Sequence, residues 1–543
     1  MKNNIFFNFK LDNSSLLKVI MAVFSLSVAF LYFGPTIRAD LDIIDDHFLY
    51  IENDISQNNG TVWSNFKKSE EIVNFGNSDR FRIIYKLIND IELKVFNLDV
   101  SYFYLTNIIV FAIFLFGVFY ITQANLDYRW AILFTLFVSS QKYLVHIFTR
   151  LGTAEVWTIL GTSVYFLGVS SIYRKSLKED AQSSTWKEVL AMLIGAIITI
   201  GSKENFAIMG IFVVSLYIFL KIRKKVTPFF TASSIMILLF NLYQVLHIYL
   251  THSSKGVDVY ANDVSLLHRF LTLLSGAFSG EARMYTLFFI TFFISIVIGY
   301  IFTAKKRLEK IKDIVYQNRW VNYLFIGAIL FVVYIFNLYV YNGLLYPVHR
   351  YAFPSILVLQ IISLIWLIWL IDFSIILNFF KKEKFLIRFQ LFIFGALMVA
   401  LFLNGIYARE ASFVTVARTN YFNNNLERIM NTVKQEPESV IILSVYNVSD
   451  AEPVVSTAEY LRFYGVKNPI MVKGFYKISS NFSPIEIAIE RVVSSWESFG
   501  AKYISAYNLQ DDNKCFNINF SGTEDYIHCE NLGRIWQQGE FKY

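Results

Sequence analysis

The chain has 543 residues, of which 55% are hydrophobic, 18% aromatic and only 17% charged. This composition excludes a soluble globular domain, which is less apolar and more charged. The net charge is +7, but the basic residues cluster in short loops between apolar runs, where they set membrane topology and do not indicate nucleic-acid binding. Repeated apolar runs of about 20 residues predict a polytopic α-helical membrane protein and exclude a transmembrane β-barrel.

The first apolar run, near residues 16–34, has Lys10 before it and Lys18 at its start, like the basic start of a signal peptide. It is longer than a typical signal and no small-residue cleavage site follows, so we interpret it as a retained membrane helix. Hydropathy predicts about eleven spans in all. The others lie near 101–122, 130–148, 153–173, 188–203, 205–221, 229–250, 284–303, 320–341, 352–372 and 388–407.

Alternate loops between these spans are rich in lysine and arginine. They read "YRKSLKED", "KIRKKVTP", "AKKRLEKIKD" and "KKEKFLIR", whereas the intervening loops carry few basic residues. By the positive-inside rule the basic loops and the N-terminus are predicted to be cytoplasmic. The other loops, together with everything after Gly405, are then predicted to lie outside.

Two long polar regions interrupt the apolar pattern. The first outer loop, 35–100, contains "DRFRIIYKLINDIELKVF", whose mixed pattern predicts helices lying in the membrane interface. The tail after the last span alternates predicted strands, "SVIILSVY" and "NPIMVKG", with predicted amphipathic helices, "STAEYLRFYG" and "IEIAIERVVSSWESFG". We therefore divide the chain into a transmembrane module, 1–407, and an extracytoplasmic α/β domain, 408–543. In an oxidising compartment Cys515 and Cys529 can pair.

The stretch "DLDIIDDHFLY", residues 40–50, places four carboxylates and His47 directly after the first span. In a helix, Asp42 shares one face with Asp45 and Asp46. Like charges in contact raise the proton affinity of at least one of them, which suits a general base. The alternative is a solvated acidic loop, or a helix start whose aspartates favour the positive end of the helix dipole.

Cationic residues recur at three further outer turns. In "LYPVHRYAFPS", residues 345–355, the planar guanidinium group of Arg350 can donate paired hydrogen bonds to a lipid phosphate. His349 is a second donor, and Tyr351 lies beside Arg350 in the sequence. The alternative is an arginine that only anchors a helix end at the interface.

In "ITIGSKENFAIMG", Lys203 and Glu204 interrupt two apolar runs, and in "HIFTRLGTAEVWT", Arg150 and Glu155 flank a tight turn. Charges at membrane depth are unfavourable unless they are paired or functional. Arg150 is a candidate for binding a phosphate, and Glu155 for binding sugar or acceptor hydroxyls. The alternatives are a turn in which Lys203 and Glu204 pair with each other, and an Arg150–Glu155 bridge between neighbouring helices.

The sequence lacks the glycine-rich patterns that bind nucleotide phosphates, so a cytoplasmic nucleotide-sugar reaction has no support and a lipid-linked donor fits better. It also lacks the paired His or Cys spacings of a zinc site.

An acidic pair directly after the first span, on the outer face, resembles the GT-C class of glycosyltransferases. In its protein mannosyltransferase and aminoarabinose transferase branches this pair is often Asp-Glu with a nearby His-Phe, and "DDHF" is similar to it. The resemblance implies Asp45 as the base and Asp46 at the Glu position. Arg350 and Tyr351, followed by Pro354, are similar to the class's late Arg-Tyr motif. "KE" at 203 is similar to its Lys-Glu turn, which implies that Lys203 lies close to the carrier phosphate and that Glu204 orients it or meets the sugar.

This resemblance implies an enzyme of the bacterial inner membrane that transfers a sugar from a polyprenyl-phosphate carrier, with inversion and without a metal. Bacterial O-antigen glucosyltransferases are of the same type, so the implied acceptor is O-antigen, a surface polysaccharide or another lipid-linked glycan. Two rival functions remain open at this point: a flippase or transporter of lipid-linked sugars, and a glycan polymerase or ligase that uses a diphosphate carrier.

Overall fold

The structure is a computed structural model, and it describes part of the chain. The described residues are 14–42, 46, 49, 53, 81–125, 128–176, 185–252, 267, 271, 290, 332, 353–354, 357–358, 361, 383–437, 439–445, 456–458, 460–461, 464–468, 470–474, 501–505, 514–518 and 524–528.

Within these residues the fold is dominated by long helices. In chain order they are α1 (Ser14–Phe33), α2 (Ile83–Phe96), α3 (Val100–Asn125), α4 (Tyr128–Ser139), α5 (Lys142–Phe148), α6 (Glu155–Ser176), α7 (Trp186–Ser202), α8 (Met209–Ile222), α9 (Pro228–His252) and α10 (Glu383–Gln435). Two short 3-10 helices, Gly34–Arg38 and Glu204–Ile208, continue α1 and precede α8.

Six of the described helical segments are long and apolar enough to cross a membrane, or seven if a bent pair counts as one span. That pair corrects the sequence prediction of a single span at 130–148, because α4 and α5 meet at an angle of 63°. The last predicted span, 388–407, continues without a break as α10 to Gln435. The proposed domain boundary at 407–408 therefore falls inside a helix, and the spans predicted near 284–303 and 320–341 fall outside the described residues, apart from two isolated positions.

Helices α6 and α7 form the most closely packed pair in the described bundle. A Cβ atom on Gly195 would lie 2.3 Å from the backbone nitrogen of Tyr165, and one on Gly168 would lie 2.5 Å from the carbonyl oxygen of Glu188. Only glycine allows two helix backbones to approach this closely, a common device where helices pack within membranes. The close pairing fixes the relative positions of the residues at the ends of α6 and α7.

Aromatic side chains hold α1, α3 and α5 together at the core of the bundle. The rings of Phe33 and Phe111 are 5.1 Å apart at 85°, and those of Phe111 and Phe148 are 4.9 Å apart. All three side chains are completely buried. Edge-to-face and tilted contacts of this kind favour one arrangement of the rings beyond what burial alone gives.

Helix α2 has its polar side turned inward and its apolar side outward. Lys86, Asn89 and Asp90 are buried, whereas Ile91 is 48% and Val95 is 69% exposed. This pattern is the reverse of a surface helix in water and is expected where the outer face contacts lipid. The sequence prediction of an amphipathic helix in the 35–100 loop is confirmed, and α2 places its polar side against the bundle.

The buried carboxyl group of Asp90 predicts a pH-dependent stability. Burial raises its pKa to about 6, although Lys94 and Lys86 act in the opposite direction. Because the folded protein binds this proton more tightly than the unfolded chain, the stability is unaffected by Asp90 below about pH 4, falls as the pH rises from about 4 to about 6, and stays at the lower level above that. At pH 7.5 the opposing contribution is roughly 2–3 kcal/mol. We expect Asp90→Asn to raise the melting temperature at pH 7.5 and to leave it unchanged at pH 4.

The comparison of variant with parent at each pH removes the contribution of Glu92, whose pKa burial raises to about 8 despite a hydrogen bond from Thr106. A matched control is Glu427→Gln, because the Glu427 side chain is exposed on α10. An Asp90→Asn variant that melts at the parent's temperature at pH 7.5 would show that the carboxylate is well solvated or paired.

The C-terminal residues include a five-stranded sheet. Its strands are β1 (Val440–Val445), β2 (Ile470–Gly474), β3 (Ala501–Ser505), β4 (Lys514–Ile518) and β5 (Glu524–His528). They are ordered β3-β2-β1-β4-β5, with only the β4–β5 pair antiparallel. The strands predicted in "SVIILSVY" and "NPIMVKG" are confirmed as β1 and β2. In the segment "STAEYLRFYG", residues 456–458, 460 and 461 are helical, as predicted.

Candidate functional site

The acidic stretch after α1 is buried in the structure. The side chain of Asp46 is 0% exposed. One of its carboxylate oxygens accepts a hydrogen bond from the backbone N–H of Asp42 at 2.7 Å, and the other accepts one from the backbone N–H of Gly152 at 3.2 Å. Two backbone donors from separate segments fix the orientation of the carboxylate. The alternative of a solvated acidic loop is therefore excluded for Asp46.

Asp42 is another buried carboxylate of this stretch, and it is held by different partners. Its carboxylate forms an ion pair with Arg418 of α10, and its backbone carbonyl accepts a hydrogen bond from the hydroxyl of Tyr460 at 2.7 Å. Asp42 is 1% exposed. Asp45 and His47, the other predicted members of this group, lie outside the described residues.

Tyr104 of α3 lies beside this acidic group. Its side chain is completely buried, and its hydroxyl has no hydrogen-bond partner among the described residues. Asp46, Asp42 and Arg418 are all within electrostatic range of the hydroxyl. A buried hydroxyl without a partner is rare in folded proteins, so this position is a candidate contact for a bound molecule.

A second charged group lies at the turn between α7 and α8. Lys203 forms an ion pair with Glu155, the first residue of α6, and both side chains are only 4% exposed. The carbonyl of Lys203 also accepts a 3.3 Å hydrogen bond from the side chain of Gln244 on α9. The lysine is thus fixed through both its backbone and its side chain.

Glu204, the next residue, pairs with Arg82 at 3.1 Å. Burial acts to lower the pKa of Arg82, but Glu204 and Glu155 more than offset it and hold that pKa above its ordinary value. Arg82, Glu155, Lys203 and Glu204 therefore form one network of two cations and two carboxylates. We call it the charged network.

The turn between α5 and α6, residues 149–154, joins the two groups. Its Gly152 binds Asp46, and Glu155 follows only three residues later. Three residues of chain reach at most about 11 Å. The carbonyl of Arg150 accepts a 3.0 Å hydrogen bond from Asn107 of α3, which anchors the same turn. The structure thus brings Asp46 and the charged network together at one end of the bundle.

Phe353 connects the late "RYAFP" segment to the same end. It is 1% exposed, and its ring lies 5.6 Å from that of Phe206, just after the Lys203 turn. Its ring is also 6.5 Å from that of Tyr143 on α5. The predicted phosphate-binding residues His349, Arg350 and Tyr351 lie outside the described residues, so their roles stay predictions.

Four residues of this site were not among the sequence predictions: Arg82, Tyr104, Arg418 and Tyr460. Arg82 lies in the amphipathic segment and could have been noted as an unmatched cation beside a membrane helix. Tyr104 resembles an ordinary core aromatic in an apolar run. Among the described residues, no group of three or more His, Cys, Asp or Glu side chains is arranged to hold a metal ion.

Fold and site together define a polytopic α-helical membrane protein with a buried carboxylate and a charged network at one end of its bundle. No protein-family model and no curated protein matches the chain. Among solved structures, the chain is similar to the crystal structure of ArnT from Cupriavidus metallidurans bound to undecaprenyl phosphate, with a TM-score of 0.46 and 12% identity, covering 93% of each chain.

Proposed function

We propose that this protein is a GT-C glycosyltransferase that moves a sugar from a polyprenyl-phosphate carrier to a glycan or lipid-linked acceptor, with Asp46 as the base. One observation carries the proposal. A fully buried carboxylate, held by two backbone N–H groups, lies within one short turn of a buried lysine at the same end of a membrane helix bundle.

Asp46 suits the role of base better than Asp42. The Asp42 carboxylate is already held by the guanidinium of Arg418, so it is less available to an acceptor hydroxyl. Asp46 is removed from water, and its carboxylate is oriented by the backbone N–H groups of Asp42 and Gly152. The sequence motif assigned the base to Asp45, so Asp45 remains the competing candidate within this proposal.

The donor phosphate is assigned to the cations. Lys203 lies in the charged network, Arg150 is on the connecting turn, and Arg350 precedes Phe353 by three residues, a chain length of at most about 11 Å. Positive charges placed where negative charge develops are the main means of stabilising a departing phosphate. His349 and Tyr351 are assigned to the same phosphate, and His47, Glu155 and Glu204 to sugar or acceptor hydroxyls.

The reaction is a single displacement. The acceptor hydroxyl gives its proton to Asp46 while its oxygen forms a bond to the anomeric carbon of the sugar. The bond from that carbon to the phosphate oxygen breaks, and its electron pair leaves with the polyprenyl phosphate. Attack from the face opposite the phosphate inverts the anomeric configuration. The products are the glycosylated acceptor and free polyprenyl phosphate, with the proton on Asp46.

In the proposal, the site faces the periplasm, the N-terminus is cytoplasmic and the acceptor is O-antigen or another surface polysaccharide. The periplasmic 408–543 region helps to hold that acceptor, because binding sites tend to form where domains meet. The Cys515–Cys529 disulfide belongs to the same proposal, since it requires an oxidising compartment.

The test supplies the full-length protein in membranes with undecaprenyl-phosphate-linked glucose, mannose or aminoarabinose and measures released undecaprenyl phosphate. We expect release with at least one donor, in amounts equal to the sugar transferred to the membrane glycan. Matched membranes without the protein are the control. A flippase would move the donor across vesicles without release, and a polymerase or ligase would require a diphosphate-linked donor. Either result contradicts the proposal.

A further inference from the structure

The backbone of Asp42 connects Asp46 to distant parts of the chain. Its N–H donates to Asp46 at 2.7 Å, its carbonyl accepts from the Tyr460 hydroxyl at 2.7 Å, and its carboxylate pairs with Arg418. We propose that Arg418 and Tyr460 are positioning residues, which hold Asp42 and through it the carboxylate of Asp46. This inference rests on the proposed function, and it gives the C-terminal part of the chain a role in catalysis.

Arg418 belongs to a continuous attachment of the acidic stretch to α10. The hydroxyl oxygen of Thr419 accepts a 3.0 Å hydrogen bond from the backbone N–H of Asp40, and Asn423 donates a 3.0 Å hydrogen bond to the carbonyl of Leu41. Three consecutive residues, 40–42, are thus each bound to one helix. That helix fixes the path of the backbone that precedes Asp46.

Tyr460 attaches the same stretch from the other side. Its side chain is completely buried, and its ring lies 5.3 Å from that of Phe422 on α10. It belongs to one hydrophobic cluster that contains residues of the acidic stretch, of α10 and of the sheet. Its members include Leu41, Leu49, Leu426, Ile441 and Leu443. The core beneath the sheet is therefore continuous with the stretch that carries Asp46.

These contacts predict that a displacement of Asp42 lowers the reaction rate, separately from any loss of hydrophobic burial. The N–H of Asp42 binds one oxygen of Asp46 directly, so a shift of Asp42 moves the proposed base. A displacement of about 1 Å at a reacting group can lower a rate by about 100-fold. The hydroxyl of Tyr460 restrains Asp42, whereas its ring supports the hydrophobic cluster, and the two roles can be separated by removing the hydroxyl alone.

The test is Tyr460→Phe, assayed by undecaprenyl phosphate release with the donor accepted above. We expect kcat to fall about 10-fold, with the KM for the donor unchanged within about 2-fold, because the ring and its packing remain. Tyr165→Phe is the matched control. Tyr165 is also completely buried, its hydroxyl has no partner among the described residues, and it lies ten residues along α6 from Glu155. We expect it to retain the parent's kcat.

A double variant separates positioning from a general loss of structure. In an Asp46→Asn background, the low residual rate no longer depends on the placement of a base, so adding Tyr460→Phe should change it by less than about 2-fold. A further 10-fold loss would overturn the inference, as would Tyr460→Phe behaving like Tyr165→Phe. In contrast, an Asp46→Asn protein with normal release contradicts the proposed function itself.

Arg418 supplies an independent measurement. Arg418→Lys keeps a cation for Asp42, whereas Arg418→Gln leaves the buried Asp42 carboxylate without its ion-pair partner. We expect Arg418→Lys to retain at least about a third of the parent's kcat and Arg418→Gln to lose about 10-fold or more. Equal rates for the two variants would show that the charge of Arg418 has no part in placing the stretch.

Discussion

Asp46→Asn is expected to lower the rate of undecaprenyl phosphate release by about 100-fold to 10,000-fold, the usual contribution of a positioned general base. The amide has nearly the shape of the carboxylate but cannot accept the acceptor's proton. Asp42→Asn should have a smaller effect, about 10-fold. It weakens the pair with Arg418 but retains the backbone N–H that binds Asp46. Initial rates at saturating donor, normalised to the amount of folded protein, provide the measurement.

Because the Asn amide group places a donor opposite one of two backbone N–H groups, some loss of stability is expected with Asp46→Asn. Its melting temperature must therefore be compared with the parent's, and Asp46→Glu provides a second variant that retains a carboxylate. Asp40→Asn is the matched control, because Asp40 lies in the same stretch and its carboxylate bonds to the adjacent N–H of Leu41. We expect it to release undecaprenyl phosphate at a rate within about 2-fold of the parent.

Asp45→Asn completes the series, since the sequence motif placed the base there. A large loss with Asp45→Asn and none with Asp46→Asn would move the base by one residue and contradict the assignment to Asp46. Normal undecaprenyl phosphate release by both Asp45→Asn and Asp46→Asn would contradict the mechanism in which an aspartate acts as the base.

Much of the bundle was predictable because each membrane helix is indicated by its own apolar run. An apolar run of sufficient length must form a helix to satisfy its backbone, whatever lies elsewhere in the chain. The break at Lys203 and Glu204 was visible for the same reason, as two charges between apolar runs. The bend between α4 and α5 was missed, because the polar pair Ser140–Gln141 is too weak an interruption to register in an average hydropathy.

The partners of the charged residues were not predictable. Two local pairings were considered, Lys203 with Glu204 and Arg150 with Glu155. In the structure Lys203 pairs instead with Glu155, 48 residues away, and Glu204 with Arg82, 122 residues away. Neighbours along the chain diverge at a tight turn, so ion pairs are decided by which helices meet. A hydropathy pattern does not show which helices meet.

The same reasoning explains why the attachment of the acidic stretch was missed. Arg418 and Tyr460 are separated from Asp42 by 376 and 418 residues. Tyr460 lies in a segment whose local pattern indicates only an amphipathic helix, and no element was predicted from the sequence around Arg418. Sequence reasoning found the carboxylates from their crowding, but the residues that orient them become visible only when the chain is folded.

Lys203 and Glu155 provide the second large effect. Lys203→Met alone is expected to destabilise the protein by about 3–5 kcal/mol, because it removes the buried ion pair between Lys203 and the Glu155 carboxylate. The double variant Lys203→Met with Glu155→Gln removes both charges and should recover most of the melting temperature. We nevertheless expect it to bind undecaprenyl phosphate at least about 10-fold more weakly, since Lys203 is assigned to the phosphate. Binding is measured with full-length protein in nanodiscs, with undecaprenol as the uncharged comparison.

A second ion pair joins the same two helices at their other ends and supplies the control. Lys175 of α6 and Glu188 of α7 pair at 2.6 Å. The double variant Lys175→Met with Glu188→Gln also removes one cation and one carboxylate, from a more exposed pair at the opposite ends of these helices, and it should bind undecaprenyl phosphate as the parent does. If the Lys203 double variant also binds like the parent, Lys203 serves only to neutralise Glu155. If both double variants weaken undecaprenyl phosphate and undecaprenol equally, the loss lies in helix packing, and Lys203 has no specific contact with the phosphate.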